Sequence, residues 1–467
     1  MRVTTAVSIC LVVLMSEGIV AVHAADPEYL HHRATGYGTR DRPWIGWEAA
    51  FENADTPNRN WIVTSGHYEA PDTPTLLRDG TQLRCEAGAV FQFTRDRSQV
   101  NAMFSIPAGS KTIEINGCGF EPNTTVPAVG LKDGTGGRSY IEIGEQDHAD
   151  QAEQIRIVGN TFGVMRYAGG GTAQGSVWIW SGKDILIRGN VFDAGKNTIG
   201  TPRGSNSILY RLDDIVIADN VFQWSIQSSN QGAAIFFGAR PTDGTIKAVF
   251  QNVTVSNNQF FNVDGGLYFA SGGDALSITG NTAQSRAMDH FFFRESSSLL
   301  ITDVLIANNV TESEVGSAAI KADNLRHASI QGNNVLTRHN SAAVTVFKSE
   351  DVTVDNNYID RGAVGFFFAD CFAVARSSRV AITSNQGVDC STKGISLFPP
   401  LAEIMVSDNT FINSSEDLVY VIHVDSSCVA CGIVEINNLV TGTAASGGLT
   451  NDAASVYSFA RRLWPRA

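Results

Sequence analysis

Eleven short segments of this chain end in the same way. IRIVGNTF (155–162), ILIRGNVF (185–192) and IVIADNVF (215–222) are near-copies, and the signature returns at Asn258, Asn281, Asn309, Asn333, Asn357, Asn385, Asn409 and Asn438. Successive Asn residues are 30, 30, 38, 23, 28, 24, 24, 28, 24 and 29 positions apart, a period that belongs to solenoids and arrays. Each copy alternates apolar β-branched residues with polar ones at period 2, so the repeating unit is a strand. A leucine-rich repeat would need a regular Leu framework, and these copies are built on Val and Ile.

The residue before each Asn is Gly, Asp, Asn or Ser. Such pairs turn a chain sharply, because Gly and Asn tolerate left-handed backbone angles. If every coil turns at the same place, the Asn side chains stack and their amides bond from coil to coil. The repeat therefore predicts a β-solenoid with an Asn ladder at one corner.

The beginning of the chain predicts the compartment. Arg2, the apolar run Val7–Met15 and V-H-A at 22–24 read as a secretory signal peptide cleaved near Ala24. Ser16, Glu17 and Gly18 interrupt the run well short of the roughly 20 apolar residues of a spanning helix. Cleavage leaves 443 residues (467 − 24) and the formal net charge of −13, since one Arg and one Glu leave together. An acidic chain without a basic stripe is a poor partner for nucleic acid. The six cysteines beyond the signal, Cys85, Cys118, Cys371, Cys390, Cys428 and Cys431, are expected as disulfides, with Cys371–Cys390 and Cys428–Cys431 as local pairs. A bridge closing about 19 residues stabilises by on the order of 3 kcal/mol.

The coils, together with DRPWIGWEAAFENA (41–54), WIVTSGHYEA and LLRDGTQLRCEAGAVFQF, resemble the pectate-lyase-like, right-handed parallel β-helix superfamily over roughly residues 40–440. The resemblance implies an all-β fold with a short cap helix near 46–54, where Trp44, Trp47, Ala50 and Phe51 give an apolar face that would cover the open end of the solenoid. The expected division is a signal peptide at 1–24, cap and entry strands at 25–79, a parallel β-helix at 80–440, and a C-terminal tail or cap at 441–467. The superfamily hosts lyases, hydrolases, epimerases and non-catalytic surface proteins, so fold does not name the reaction. The polygalacturonase G-H-G, the pectate-lyase W-I-D-H and R-x-P-x-x-R, and the mannuronan-epimerase D-P-H motifs are all missing, and EQDHAD (145–150) departs from the last of these.

Aligning the coils on their Asn residues places Trp178 and Trp180 in alternation with Val177 and Ile179. If the aliphatics point inward, the tryptophans point outward. Phe347 and Phe269 take similar positions, and such rings would stack on sugars. Lys348 and Arg376 both stand nine residues before their Asn, which predicts side chains one coil apart, about 5 Å. A stacked Lys and Arg resemble the base and acid of the alginate and chondroitin lyases of this fold. In β-elimination a base removes the proton beside the uronate carboxyl and a donor protonates the leaving oxygen.

Asp323, Glu350 and Asp370 are carboxylate candidates at the margins of that groove. The functional expectation is an exported enzyme, a lyase on an acidic polysaccharide such as a polyuronate. The alternatives are a non-catalytic glycan-binding or structural solenoid, a glycoside hydrolase and a uronate epimerase. Calcium would suit an acidic protein facing a polyuronate, since the ion bridges carboxylates, although no loop carries a recognisable calcium motif.

Overall fold

A computed structural model describes residues 28–31, 44–45 and 57–442, apart from 71–73, 94–101, 123–138, 146–147, 149, 164–174, 194–198, 201–210, 224–232, 238–248, 264, 270–271, 286–290, 294–299, 314–317, 338–341, 362–369, 391–392, 414–419 and 429–430. The segment expected as a signal peptide, the cap helix expected at 46–54 and the tail or cap expected beyond 442 lie outside the described residues.

The period-2 segments are strands, and each pairs in parallel with its counterpart one coil away. Among the described residues they build three sheets of 16, 14 and 13 strands, here called the first, second and third. The chain runs through them in a fixed order: a third-sheet strand, a corner, a first-sheet strand, the Asn corner, a short second-sheet strand, then a connection to the next coil. No α-helix occurs among the described residues. None therefore contains a helix long and apolar enough to cross a membrane.

Register locks the repeats together. Ile155, Ile185, Ile215 and Val253 are partners in adjacent first-sheet strands, and all are buried. The Phe two positions beyond Asn160, Asn190, Asn220 and Asn258, and Phe120 two positions beyond Cys118, enter the core in the second sheet. Phe120, Phe162, Phe192, Phe222 and Phe260 form a continuous stack with centroids 4.7–4.9 Å apart and rings within 7° of parallel. This spacing matches the distance between neighbouring strands, so one aromatic fits per coil.

The Asn ladder is present and buried from Asn160 to Asn409. Each Asn accepts at Oδ1 from the backbone N–H and the amide of the Asn one coil earlier, and its Nδ2 also donates to a backbone carbonyl of that coil. The residues before them are in the left-handed region, as in Gly159 (φ 65°), Asp219 (φ 56°) and Asn308 (φ 55°). At the N-terminal end Cys118 takes the ladder position, and its N–H donates to Asn160 Oδ1 over 2.9 Å.

Cys118 is bonded to Cys85, with Cα atoms 4.9 Å apart. Cys371–Cys390 closes one turn of the solenoid, Cα–Cα 5.4 Å, and Cys428–Cys431 closes a local loop, Cα–Cα 5.7 Å. All six cysteines are thus paired, which fits an oxidising compartment.

Candidate functional site

The outer face of the third sheet carries two rows of side chains along the solenoid axis. One row includes Ser105, Glu142 and Trp178, then Phe236 and Tyr268, and further along Lys321, Thr345, Ala373, Ser396 and His423. Two positions further along each strand, a second row runs Asp323, Phe347, Ala375, Phe398 in its C-terminal coils. Asp425 follows the next strand, and its N–H donates to Leu397 O.

Lys348 and Arg376 occupy the corner between the third and first sheets. Both have left-handed backbone, φ 49° and 51°. Lys348 N–H donates to Ala375 O over 3.1 Å, and Arg376 N–H donates to Phe398 O over 3.2 Å, so the two residues are equivalent in successive coils. Their side chains meet at one ring. Lys348 Nζ lies 5.3 Å and Arg376 Cζ 5.5 Å from the Phe347 centroid. Phe347 and Lys348 are half-buried and Arg376 is exposed, so this corner is open.

The carboxylate candidates separate. Asp323 shares the row of Phe347 but is buried, with Lys321 Nζ 3.7 Å from its Oδ2. Glu350 does not border this groove; it lies beyond the corner, on the first sheet. There Arg326 Nε donates to it over 2.9 Å and Arg379 bridges it to Asp351. Hydrogen bonds from Arg379 hold both carboxyls below their usual range.

Asp370 precedes its third-sheet strand while Arg376 follows it, so the two stand at opposite edges of the face. Burial pushes the Asp370 carboxyl up, and Ser396, Lys393, Arg361 and His423 offset part of that shift. Arg361 beside it is buried, donates Nη1 to Asp370 O over 3.1 Å, and is held down to about 10 by burial.

The tryptophans do alternate with the core aliphatics, yet Trp178 is only 4% exposed and is no open platform. It packs edge-on against half-buried Trp180 at 6.2 Å, and Trp180 Nε1 donates to Glu142. Phe269, expected outward, is in the core. Its neighbour Tyr268 takes the outer row and stacks on Phe236 at 5.1 Å. The sequence reading missed Phe398, 37% exposed, and Glu142. Among the described residues no group of three or more His, Cys, Asp or Glu is arranged to hold a metal ion.

Burial, reinforced by Glu145, raises the Glu142 carboxyl above its ordinary value of 4.5, and the Trp180 hydrogen bond offsets part of it. The folded state therefore holds this proton more tightly than the unfolded chain does. The resulting stability is complete below the ordinary carboxyl range and is lost as pH rises through the raised value. Glu142→Gln should remove that decline, read as denaturant midpoints of both proteins across the acid range. Parallel pH profiles would refute the assignment.

A model of the right handed beta helix region matches residues 246–398 and 289–459. No curated protein sequence is significantly similar to the chain. Among solved structures, the A-module of mannuronan C-5 epimerase AlgE6 from Azotobacter vinelandii has 13% identity and a TM-score of 0.50, covering 86% of this chain and 94% of that one. The Streptococcus pneumoniae surface adhesin PfbA has 15% identity and a TM-score of 0.43, covering 82% and 83%. The Yersinia enterocolitica family 28 exopolygalacturonase has 13% identity and a TM-score of 0.47, covering 90% and 79%. At these identities the likeness is one of fold. The chain has the right-handed parallel β-helix fold, and a fold of this kind does not name a reaction, so the reaction has to be argued from the site.

Proposed function

We propose that this protein is an exported polysaccharide-active β-helix that opens an acidic polysaccharide by β-elimination at the Lys348–Phe347–Arg376 corner. The observation that carries this reading is the convergence of two cations, one coil apart, on a single half-buried aromatic ring in an acidic protein. The ring offers a stacking surface for the apolar face of a sugar. Arg376 is suited to the planar uronate carboxylate, which a guanidinium binds with two parallel hydrogen bonds. Neutralising that carboxylate makes the adjacent carbon-bound proton more acidic.

Lys348, acting as the neutral amine, takes this proton on its nitrogen lone pair, the electron pair of the broken C–H bond forms the C=C bond, and the glycosidic C–O bond breaks. The leaving oxygen is protonated by the ammonium so formed. A hydrolase would need two carboxylates about 5–9 Å apart. Asp323 and Asp425 stand four coils apart along this row, about 19 Å at the usual strand spacing, which disfavours hydrolysis here.

The test is a panel of polyuronates and neutral glycans followed by ultraviolet absorbance. Rising absorbance with a polyuronate is expected. Reducing ends without absorbance would mean hydrolysis. Binding without either product would mean a non-catalytic glycan-binding solenoid.

A further inference from the structure

Phe347, Ala375 and Phe398 are successive partners in one outward row of the third sheet. A small residue between two large rings leaves a notch. At the usual strand spacing the two Phe backbones are about 9–10 Å apart. One pyranose ring making van der Waals contact on both faces needs about 4 Å on each side, so the notch is one sugar ring wide. It is accessible: Phe398 is 37% exposed, and Ala375 and Phe347 are half-buried.

Charge selects the occupant. Arg376, next in sequence to Ala375, places its guanidinium against the Phe347 ring. It makes no ion pair among the described residues, in a chain with 47 acidic and 34 basic side chains. Lys348 stands at the other side of the same corner. Two aromatic walls with cations held against one of them complement a pyranose ring carrying an equatorial carboxylate, and give a neutral sugar the stacking without the ionic contact.

We propose that Phe347, Ala375 and Phe398 form a slot for a single uronate ring of the polymer, with Ala375 setting its width and Arg376 donating to its carboxylate. This rests on the polyuronate reading above and adds the residue that decides which ring enters. Ala375 acts through shape, so it is a specificity residue with no part in proton transfer.

The test uses calorimetric titration of the whole secreted protein with galacturonate and mannuronate tetramers, and with cellotetraose as the neutral match. One of the tetrauronides is expected to bind, with cellotetraose at least tenfold weaker. Ala375→Leu, an outward substitution that fills the notch, should weaken tetrauronide binding at least tenfold, whereas Ala375→Gly should retain it. Phe398→Ala, which removes one wall, should weaken binding without changing the thermal midpoint. Unimpaired binding in Ala375→Leu, equal affinity for cellotetraose, or no binding of either tetrauronide would overturn the slot.

The two proposals fail separately. A wild type that binds the tetrauronide and releases no unsaturated product keeps the slot and overturns the elimination. Product release that survives Ala375→Leu undiminished keeps the elimination and overturns the slot.

Discussion

Replacing Lys348 or Arg376 by Ala is expected to lower turnover of a polyuronate by about 10²–10⁴-fold, the usual contribution of a positioned acid or base, while the solenoid stays folded. The two variants should differ in kind. Lys348→Ala removes the group assigned to proton transfer, so kcat falls with little change in KM. Arg376→Ala removes a contact to the carboxylate in both ground and transition states, so KM rises as well. Folding should survive because neither side chain belongs to the core, Arg376 being exposed and Lys348 half-buried at the corner, and a cation on an exposed aromatic ring contributes about 0.5–1 kcal/mol. Ala has the same Cβ as Lys or Arg, so the left-handed backbone at φ 49° and 51° gains no new strain. Wild-type turnover in both variants would move the chemistry elsewhere on the solenoid.

Asn309→Leu should be the most destabilising single change in the coils, costing on the order of 3 kcal/mol or more. The Asn309 amide donates to Ile278 O over 3.0 Å and to Asn333 Oδ1 over 2.9 Å. Its oxygen accepts from Asn281 N over 2.9 Å and from Asn281 Nδ2 over 3.0 Å. Leu fills the volume and removes all four bonds. Each buried donor or acceptor left unpaired costs about 1–3 kcal/mol, and the Asn281 N–H, the Asn281 amide and the Ile278 carbonyl are all affected. Asn309→Asp should be no milder, since it keeps an acceptor but places an ionised group where a neutral donor is required. The same Leu substitution at Asn438, half-buried at the far end of the ladder, should cost less. Denaturant midpoints read this directly, and equal losses at the two positions would show that ladder burial is not the cause.

The ladder was legible because it is set by local chemistry repeated in every coil. A left-handed residue followed by Asn turns the chain in the same way wherever it occurs. Cys371 and Cys390 were legible for a related reason: their separation of 19 residues carries the chain once around the solenoid.

Side chains on the third sheet were harder to read, because their distance from the Asn varies with the corner between. Phe347 stands ten residues before Asn357, but Pro399–Pro400 lengthens the next corner but one and sets Phe398 eleven before Asn409. An alignment at fixed offset passes over it. Likewise Tyr268 is thirteen residues before Asn281 where Trp178 is twelve before Asn190. A slip of one residue exchanges the two faces of a strand, which is why Phe269 had been expected outward. Glu350 is only two residues past Lys348, yet those two residues carry the chain around the corner onto another sheet.

By itself, then, the sequence determined the strand period, the Asn corner and the pairing that nearly one coil length makes close. These depend on residues near one another in the chain. Only the tertiary structure decided that Phe347, Ala375 and Phe398 line one notch, that Lys348 and Arg376 converge on one ring, and that Glu350 does not join them. Each of those juxtapositions is made by hydrogen-bonded register between coils more than 20 residues apart, and an added residue at any corner changes which side chains become neighbours.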